Sequence, residues 1–333
     1  MLKKMLRPNR VLNAFKLYFS YHLSKITGNN IHWGTPMSVS IEPTTSCNLR
    51  CPQCPSGLRE FSRPTGMLDL GFYETIIDQL SPNLSYLTLY FQGEPFLNKD
   101  FLPMVAYANK KDVYTATSSN AHYFTPENAK KTVESGLSKV IISIDGITPE
   151  TYKKYRIGGD LDKVLSGTQE LIKQKKEAKS STPHIVWQFI VFGHNEHELE
   201  EVKKMANEFG VDELAIKTAQ IYDFANGNDL LPEDENYSRY VKDGDSFKIK
   251  NKLLNHCWRM WQGCVITWDG LIAPCCFDKD AEHRMGDLKE KSFKEIWLGQ
   301  QYRVFRGKVL NSRKNIDICT NCTEGTKVWA EIE

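Results

Sequence analysis

Three cysteines crowd into the stretch TTSCNLRCPQCPSG, at Cys47, Cys51 and Cys54, in the pattern C-x3-C-x2-C. Thiolates select soft metals: zinc, copper(I) or iron–sulfur clusters. A structural zinc site closes with four ligands. Three thiolates on one loop point instead to a 4Fe–4S cubane with one iron left open to chelate a small molecule. A zinc site that borrows a fourth ligand, or a set of buried free cysteines, is the plainer alternative. A second group lies towards the C-terminus: Cys257, Cys264, Cys275, Cys276 and the C-x2-C pair Cys319 and Cys322. The nine cysteines are odd in number and fall in two clusters. That suits metal ligation in a reducing cytoplasm better than a disulfide framework.

Such thiols need a scaffold. The chain has 333 residues, 41% hydrophobic and 25% charged, enough for one large domain and a small one. A formal net charge of +2 gives no bulk electrostatic case for nucleic acid, and none is expected as a partner. No run of eighteen apolar residues suggests a membrane span, and no small-residue cleavage site marks a signal peptide, so the expected location is cytoplasmic.

From residue 37 to about 220 strands and helices alternate. Strands are predicted at 38–43, 85–91, 112–119, 139–145, 185–192 and 213–219. Helices are predicted at 71–80, where Phe72, Ile76 and Leu80 fall four apart, at 100–109, and after TPEN, where Thr125 is the N-cap and Pro126 the first helical residue. A long helix is predicted from the second Thr-Pro-Glu opening through about Lys176, and another over 196–209. Six strands alternating with helices argue for parallel βαβ units curving into a full or partial barrel, with the ligand site at the strand C-termini. Polar residues 221–250 read as a linker or covering loop. The expected organisation is an arm (1–34), a partial barrel (35–220), that linker (221–250) and a cysteine-bearing tail (251–333).

Cys47, Cys51 and Cys54 after the first strand resemble the radical S-adenosylmethionine (radical SAM) superfamily. FQGEP at 91–95, after the second strand, is similar to the family's GGEP motif. The resemblance implies a partial (β/α)6 TIM-like barrel in which Gln92, Gly93, Glu94 and Pro95 hold the methionine amino group of SAM through backbone carbonyls. It places Ser118 and Asn120 of SSNA near the ribose, Ser143 of SIDG at the ribose with Asp145 beside it, and Arg156 on the SAM carboxylate. An Arg–carboxylate pair would give planar, charge-assisted hydrogen bonds. Gln188 on the fifth strand could face the cofactor. Each Ser or Asn at a strand end can equally be a turn former or helix cap. Gln53 departs from the aromatic residue often found before the third cysteine, which puts an aromatic contact to adenine in doubt.

The tail resembles the SPASM/twitch extension of the same superfamily, with GLIAPC at 270–275, MGDL, SFKEIW and the closing C-x2-C. No cysteine occurs between Cys276 and Cys319, so it looks like the one-cluster form. The implied ligands of an auxiliary 4Fe–4S cluster are Cys257, Cys275, Cys319 and Cys322, leaving Cys264 and Cys276 over. A zinc ribbon is the alternative.

The resemblance implies reductive cleavage of SAM to methionine and a 5′-deoxyadenosyl radical that takes a hydrogen atom from substrate. The leading expectation is two-electron oxidation of a small polar metabolite, assisted by the auxiliary cluster and fed by a reductant such as flavodoxin or ferredoxin. The alternative is a peptide- or protein-modifying maturase forming thioether or C–C bonds or oxidising side chains. A non-catalytic cluster-binding scaffold is a third reading. Oxidation also needs a base; Asp278, Glu282, His283 and Lys217 are candidates by location, and none is assigned. In the arm, Lys3, Lys4, Arg7, Arg10, Lys16 and Lys25 are basic, no acid precedes Glu42, and Leu12, Phe15, Phe19, Leu23 and Ile26 recur at helical spacing. Such a helix can contact a membrane surface peripherally or pack across its own domain.

Overall fold

The structure is a computed structural model that describes residues 7–323 and the backbone of 329–332; Lys3 and Lys4 lie outside the described residues. Its strands are β1 (Ser38–Ile41), β2 (Tyr86–Thr88), β3 (Tyr114–Ser119), β4 (Lys139–Ser143), β5 (His184–Val191), β6 (Glu213–Thr218), β7 (Tyr240–Asp243), β8 (Ser246–Ile249), β9 (Gly263–Ile266), β10 (Leu271–Ala273), β11 (Gly286–Asp287) and β12 (Trp329–Ile332). No helix among the described residues is long and apolar enough to cross a membrane. The chain folds as two compact units that do not follow chain order.

The first unit comprises the described part of 1–46, with 61–117 and 253–322. Here β1 pairs in parallel with β2, and β2 with the start of β3. The other edge of β1 pairs in parallel with β9, which sets Cys264 opposite Val39, and β10 and β11 follow antiparallel. The cysteine-bearing tail therefore extends the sheet that carries the first strand. Helix Leu70–Leu80 starts where the Asp69 carboxylate accepts from the Phe72 N–H, and it buries Tyr73, Ile76, Ile77 and Leu80. The N-terminal helix, Pro8–Thr27, buries Arg10, Asn13, Leu17, Ser20, Tyr21 and Ser24. Arg10 donates to the carbonyls of Asp112, Ser81 and Lys111. The Asn13 amide exchanges two hydrogen bonds with the Thr35 backbone.

The second unit comprises 47–60, 118–252 and the described part of 323–333. β4, β5 and β6 are parallel neighbours, and β12 adds antiparallel to β6. Val140, Ile141 and Ile142 are buried in succession along β4, the continuous apolar run of a strand covered on both faces. Helix Pro126–Glu134 opens as expected, with the Thr125 hydroxyl accepting from the Asn128 N–H.

The long helix expected through Lys176 is instead two helices, Pro149–Tyr155 and Leu161–Glu177. Gly158 sits at φ 81°, a left-handed conformation that no helix interior accommodates, and Asp160 caps the second helix through the Asp162 N–H. The polar stretch 221–250 contains the antiparallel hairpin β7–β8, anchored by buried Tyr240, whose hydroxyl bonds both the N–H and the carbonyl of Ile221.

Candidate functional site

In the second unit the cysteine loop is shaped by its own backbone. The Leu49 N–H donates to Cys47 Sγ at 3.4 Å, the Cys54 N–H to the Cys51 carbonyl at 3.3 Å, and a short helix, Pro55–Leu58, begins directly after Cys54. Leu49, Cys51, Tyr155, Phe192 and Ile221 form one buried cluster against which Cys47 and Cys54 pack. Burial in that apolar shell raises the Cys51 thiol, and the Arg156 guanidinium opposes the shift.

Arg156 lies in the break between the two helices. Its Nη1 stands 3.8 Å from Cys51 Sγ. Its Nε and Nη2 both donate to Asp145 Oδ2, at 2.6 and 2.5 Å. Asp145 is fully buried, and its Oδ1 accepts from the Ile190 N–H at 2.8 Å. Buried Asn195 donates to the carbonyls of Asp145 and Ile190. Two residues that the resemblance assigns to different parts of SAM, Asp145 and Arg156, are thus bonded to each other, and the guanidinium also faces a cysteine.

Asn120 donates to Asn48 Oδ1 at 2.8 Å, which ties SSNA to the cysteine loop. Ser118 is half-buried at the end of β3; Ser143 is buried at the end of β4, in register with Gln188 on β5. Lys217 Nζ approaches Gln188 Oε1 at 3.5 Å. The Gln53 amide oxygen accepts from the Tyr222 N–H, a structural use for the residue that departs from the aromatic pattern. Asn48 and Asn195 escaped sequence reasoning, because their partners lie far along the chain and no spacing advertises them.

In the first unit, Gly93 of QGEP has φ 74°. A Cβ there would fall 2.3 Å from the Thr44 carbonyl oxygen and 2.8 Å from that of Ser46. The Glu94 N–H donates to the Ser46 carbonyl at 2.7 Å, and the Glu94 carboxylate accepts from the Phe96 N–H at 3.3 Å. The turn is therefore laid against the backbone that leaves β1, as close as only glycine permits. Gly93→Ala is expected to destabilise the protein by about 2–4 kcal/mol through left-handed strain and overlap with backbone, read as a lower urea midpoint and weakened SAM binding. A midpoint equal to wild type would contradict this geometry. Beside this turn, buried Arg63 grips buried Glu42 through two bonds of 2.8 and 2.6 Å. Nothing in the sequence pattern pointed to Glu42 or Arg63.

The tail cysteines lie in the first unit. Arg313 Nη2 donates to Cys322 Sγ at 3.2 Å, Cys319 also hydrogen-bonds Arg313, and Cys257 lies within its electrostatic reach. Arg313 Nε is buried without a hydrogen-bond partner among the described residues. Cys275 neighbours both Cys276 and Cys257. Cys257, Cys319 and Cys322 thus lie within the field of one buried cation, and Cys257 in turn neighbours Cys275. Among the described residues no three His, Cys, Asp or Glu side chains are already drawn together as a ligand set. The fit in both places therefore rests on donor chemistry and on the cation beside the sulfurs. Soft thiols in an apolar shell with a guanidinium at hand suit an anionic thiolate-ligated cluster.

Cys264, on β9, is buried and pushed to about 12 by that burial. Cys264→Ala is expected to keep the full iron content and cost about 1 kcal/mol for the small cavity; loss of iron would move a ligand assignment onto Cys264. Asp278 accepts the backbone N–H groups of Glu282 and His283, and His283 Nε2 pairs with Asp317 at 2.7 Å. These groups hold the tail in shape.

A family model described as the radical SAM superfamily matches residues 41–208. This chain belongs to the radical SAM superfamily. A second model, an iron–sulfur cluster-binding domain of the SPASM type, matches 257–323, a span that opens at Cys257 and takes in Cys322. The radical SAM chain is 24% identical over 319 residues to the tungsten-containing aldehyde ferredoxin oxidoreductase cofactor-modifying protein of Pyrococcus furiosus, covering 85% of this chain and 86% of that one. It is 24% identical over 295 residues to the PqqA peptide cyclase of Ruegeria pomeroyi, covering 82% and 76%. Among solved structures, BtrN in complex with AdoMet and 2-DOIA is similar at a TM-score of 0.55 and 18% identity, over 90% of this chain and 99% of that one. The α/β architecture of parallel strands and helices is that of the family. Membership implies a 4Fe–4S cluster with SAM, and the SPASM segment an auxiliary iron–sulfur cluster.

Proposed function

We propose that this radical SAM enzyme carries out a two-electron oxidation of a small polar metabolite with the help of one auxiliary 4Fe–4S cluster. The observation that carries the reading is Arg313, which donates to Cys322, hydrogen-bonds Cys319 and lies within electrostatic reach of Cys257, itself a neighbour of Cys275. Four thiolates saturate a cubane, so such a group is suited to taking an electron or bracing a pocket and unsuited to binding SAM. When bound, SAM and its reduced cluster supply hydrogen-atom abstraction from a substrate C–H bond.

The chain's own residues have these roles. Cys47, Cys51 and Cys54 hold the first cluster in the second unit, and Arg156 offsets their negative charge. Asp145 fixes the guanidinium through Nε and Nη2, and Nη1, which faces Cys51, is the nitrogen available to the SAM carboxylate. Ser118, Asn120, Ser143 and Gln188 offer hydrogen bonds to the nucleoside. In the first unit, Gln92, Gly93, Glu94 and Pro95 offer backbone carbonyls to an ammonium group. The reductant is a flavodoxin or ferredoxin, and the enzyme works in the cytoplasm.

The similarity to a structure holding 2-DOIA supports a small-molecule substrate; the relative that is a peptide cyclase supports peptide modification as the second reading. Anaerobic incubation with SAM, reductant and either a metabolite extract or a peptide fraction separates them. Deoxyadenosine and a product two hydrogens lighter from the metabolite arm support the oxidation. Turnover of peptide alone favours the second reading, and a protein that binds zinc and no iron overturns both.

A further inference from the structure

We propose that the N-terminal helix Pro8–Thr27 seats the protein on an anionic lipid surface. This goes beyond the proposed reaction and does not depend on it.

The helix faces the opposite way from an ordinary packed helix. Its inward side carries Arg10, Asn13, Ser20 and Ser24, each held by hydrogen bonds, together with Leu17 and Tyr21. The solvent side carries the apolar stripe: Leu12 is 56% exposed, Phe15 56%, Phe19 55% and Ile26 81%, with Leu23 among them. The Phe15 and Phe19 rings stack at 6.3 Å, so the stripe is one continuous surface. A helix that only covered its own domain would turn these side chains inward. Single exposed hydrophobes need no explanation, whereas a contiguous row marks an interaction surface.

The charges say what covers it. Lys16 and Lys25 are exposed, and the 3.6-residue period places them on opposite flanks of the stripe. Their stems can lie along apolar surface while the ammonium groups reach lipid phosphates. No acid precedes Glu42; Arg10 is turned inward and Arg7 pairs with Asp112, which leaves Lys16 and Lys25 as the helix charges that attract an anionic surface and repel a second copy of the same arm. The helix does not qualify as a span, so it lies in the interface. A cavity of about 890 Å³ shares Leu12 and Lys16 with this face and is also lined by Trp33, Leu298 and Lys294. Trp33 is 46% exposed, and tryptophan favours the boundary between apolar and wet surroundings. Apolar walls with two lysines suit an acyl chain bearing an anionic head.

The test is flotation of the full, anaerobically reconstituted protein with vesicles of neutral phospholipid, alone or with roughly 30% anionic phospholipid. Binding to the anionic vesicles and release by high salt are expected. A Phe15→Ser/Phe19→Ser/Ile26→Ser variant should lose binding while keeping its iron and its unfolding midpoint. A Lys16→Glu/Lys25→Glu variant should bind about tenfold or more weakly. Equal binding to neutral vesicles, binding that the serine variant retains, or a vesicle-independent dimer that the serine variant converts to monomer would each overturn the proposal.

Discussion

Cys51→Ala is expected to reduce deoxyadenosine formation to background and to lower iron after anaerobic reconstitution from about eight to about four per chain, since each cubane holds about four. Cys51 is the buried member of its triad and faces Arg156. Removing its sulfur takes away one of three anchors and leaves the guanidinium without one of its two anionic partners. Because the Asp145 pair remains, the fold should survive, and circular dichroism with an unfolding curve verifies that it does. Cys264→Ala, treated identically, should retain about eight irons. A folded Cys51→Ala protein that keeps full iron and cleaves SAM would remove the loop from the first cluster.

The second large effect separates the two clusters by function. Cys319→Ala/Cys322→Ala should keep about four irons and still form some deoxyadenosine with a strong chemical reductant, yet lose product. The double variant removes both thiol partners of Arg313. The stranded cation adds a penalty of about 3–5 kcal/mol to the loss of metal ligation, which can itself unfold a small metal-held segment. Arg313 also donates to the carbonyls of Leu254 and His256, which gives the segment a second hold. The measurement pairs iron content and circular dichroism with deoxyadenosine and product. Normal product from a folded variant would strip the auxiliary cluster of its assigned role and take the oxidation reading with it.

The parts legible in the sequence were those written locally. The cysteine spacing and QGEP after a strand, which carried the family resemblance, and the Thr-Pro-Glu helix openings each sit within a few residues. The break at 156–160 was not read, although two adjacent glycines, Gly158 and Gly159, mark it in the sequence. The hairpin β7–β8 hid in a polar stretch because an exposed pair of strands needs few hydrophobes. The Asp145–Arg156 pair could not be read from spacing, because both residues were legible only as separate matches to a family pattern. For the N-terminal helix the period was plain. Which face turned inward was not, since a buried arginine depends on three carbonyls from distant segments.

The pairing of β1 with β9 also bears on how the chain leaves the ribosome. β1 is among the first strands synthesised, and its partner edge, 263–266, comes only after most of the chain. At about 5–20 residues per second, that edge stays unpaired for on the order of ten to fifty seconds, presenting open hydrogen-bonding groups to any neighbouring strand. The second unit's β4, β5 and β6 have emerged by then. A nascent chain of this protein therefore passes through an interval in which β4, β5 and β6 can pair while β1 still waits for β9, and holdase chaperones would act in that interval.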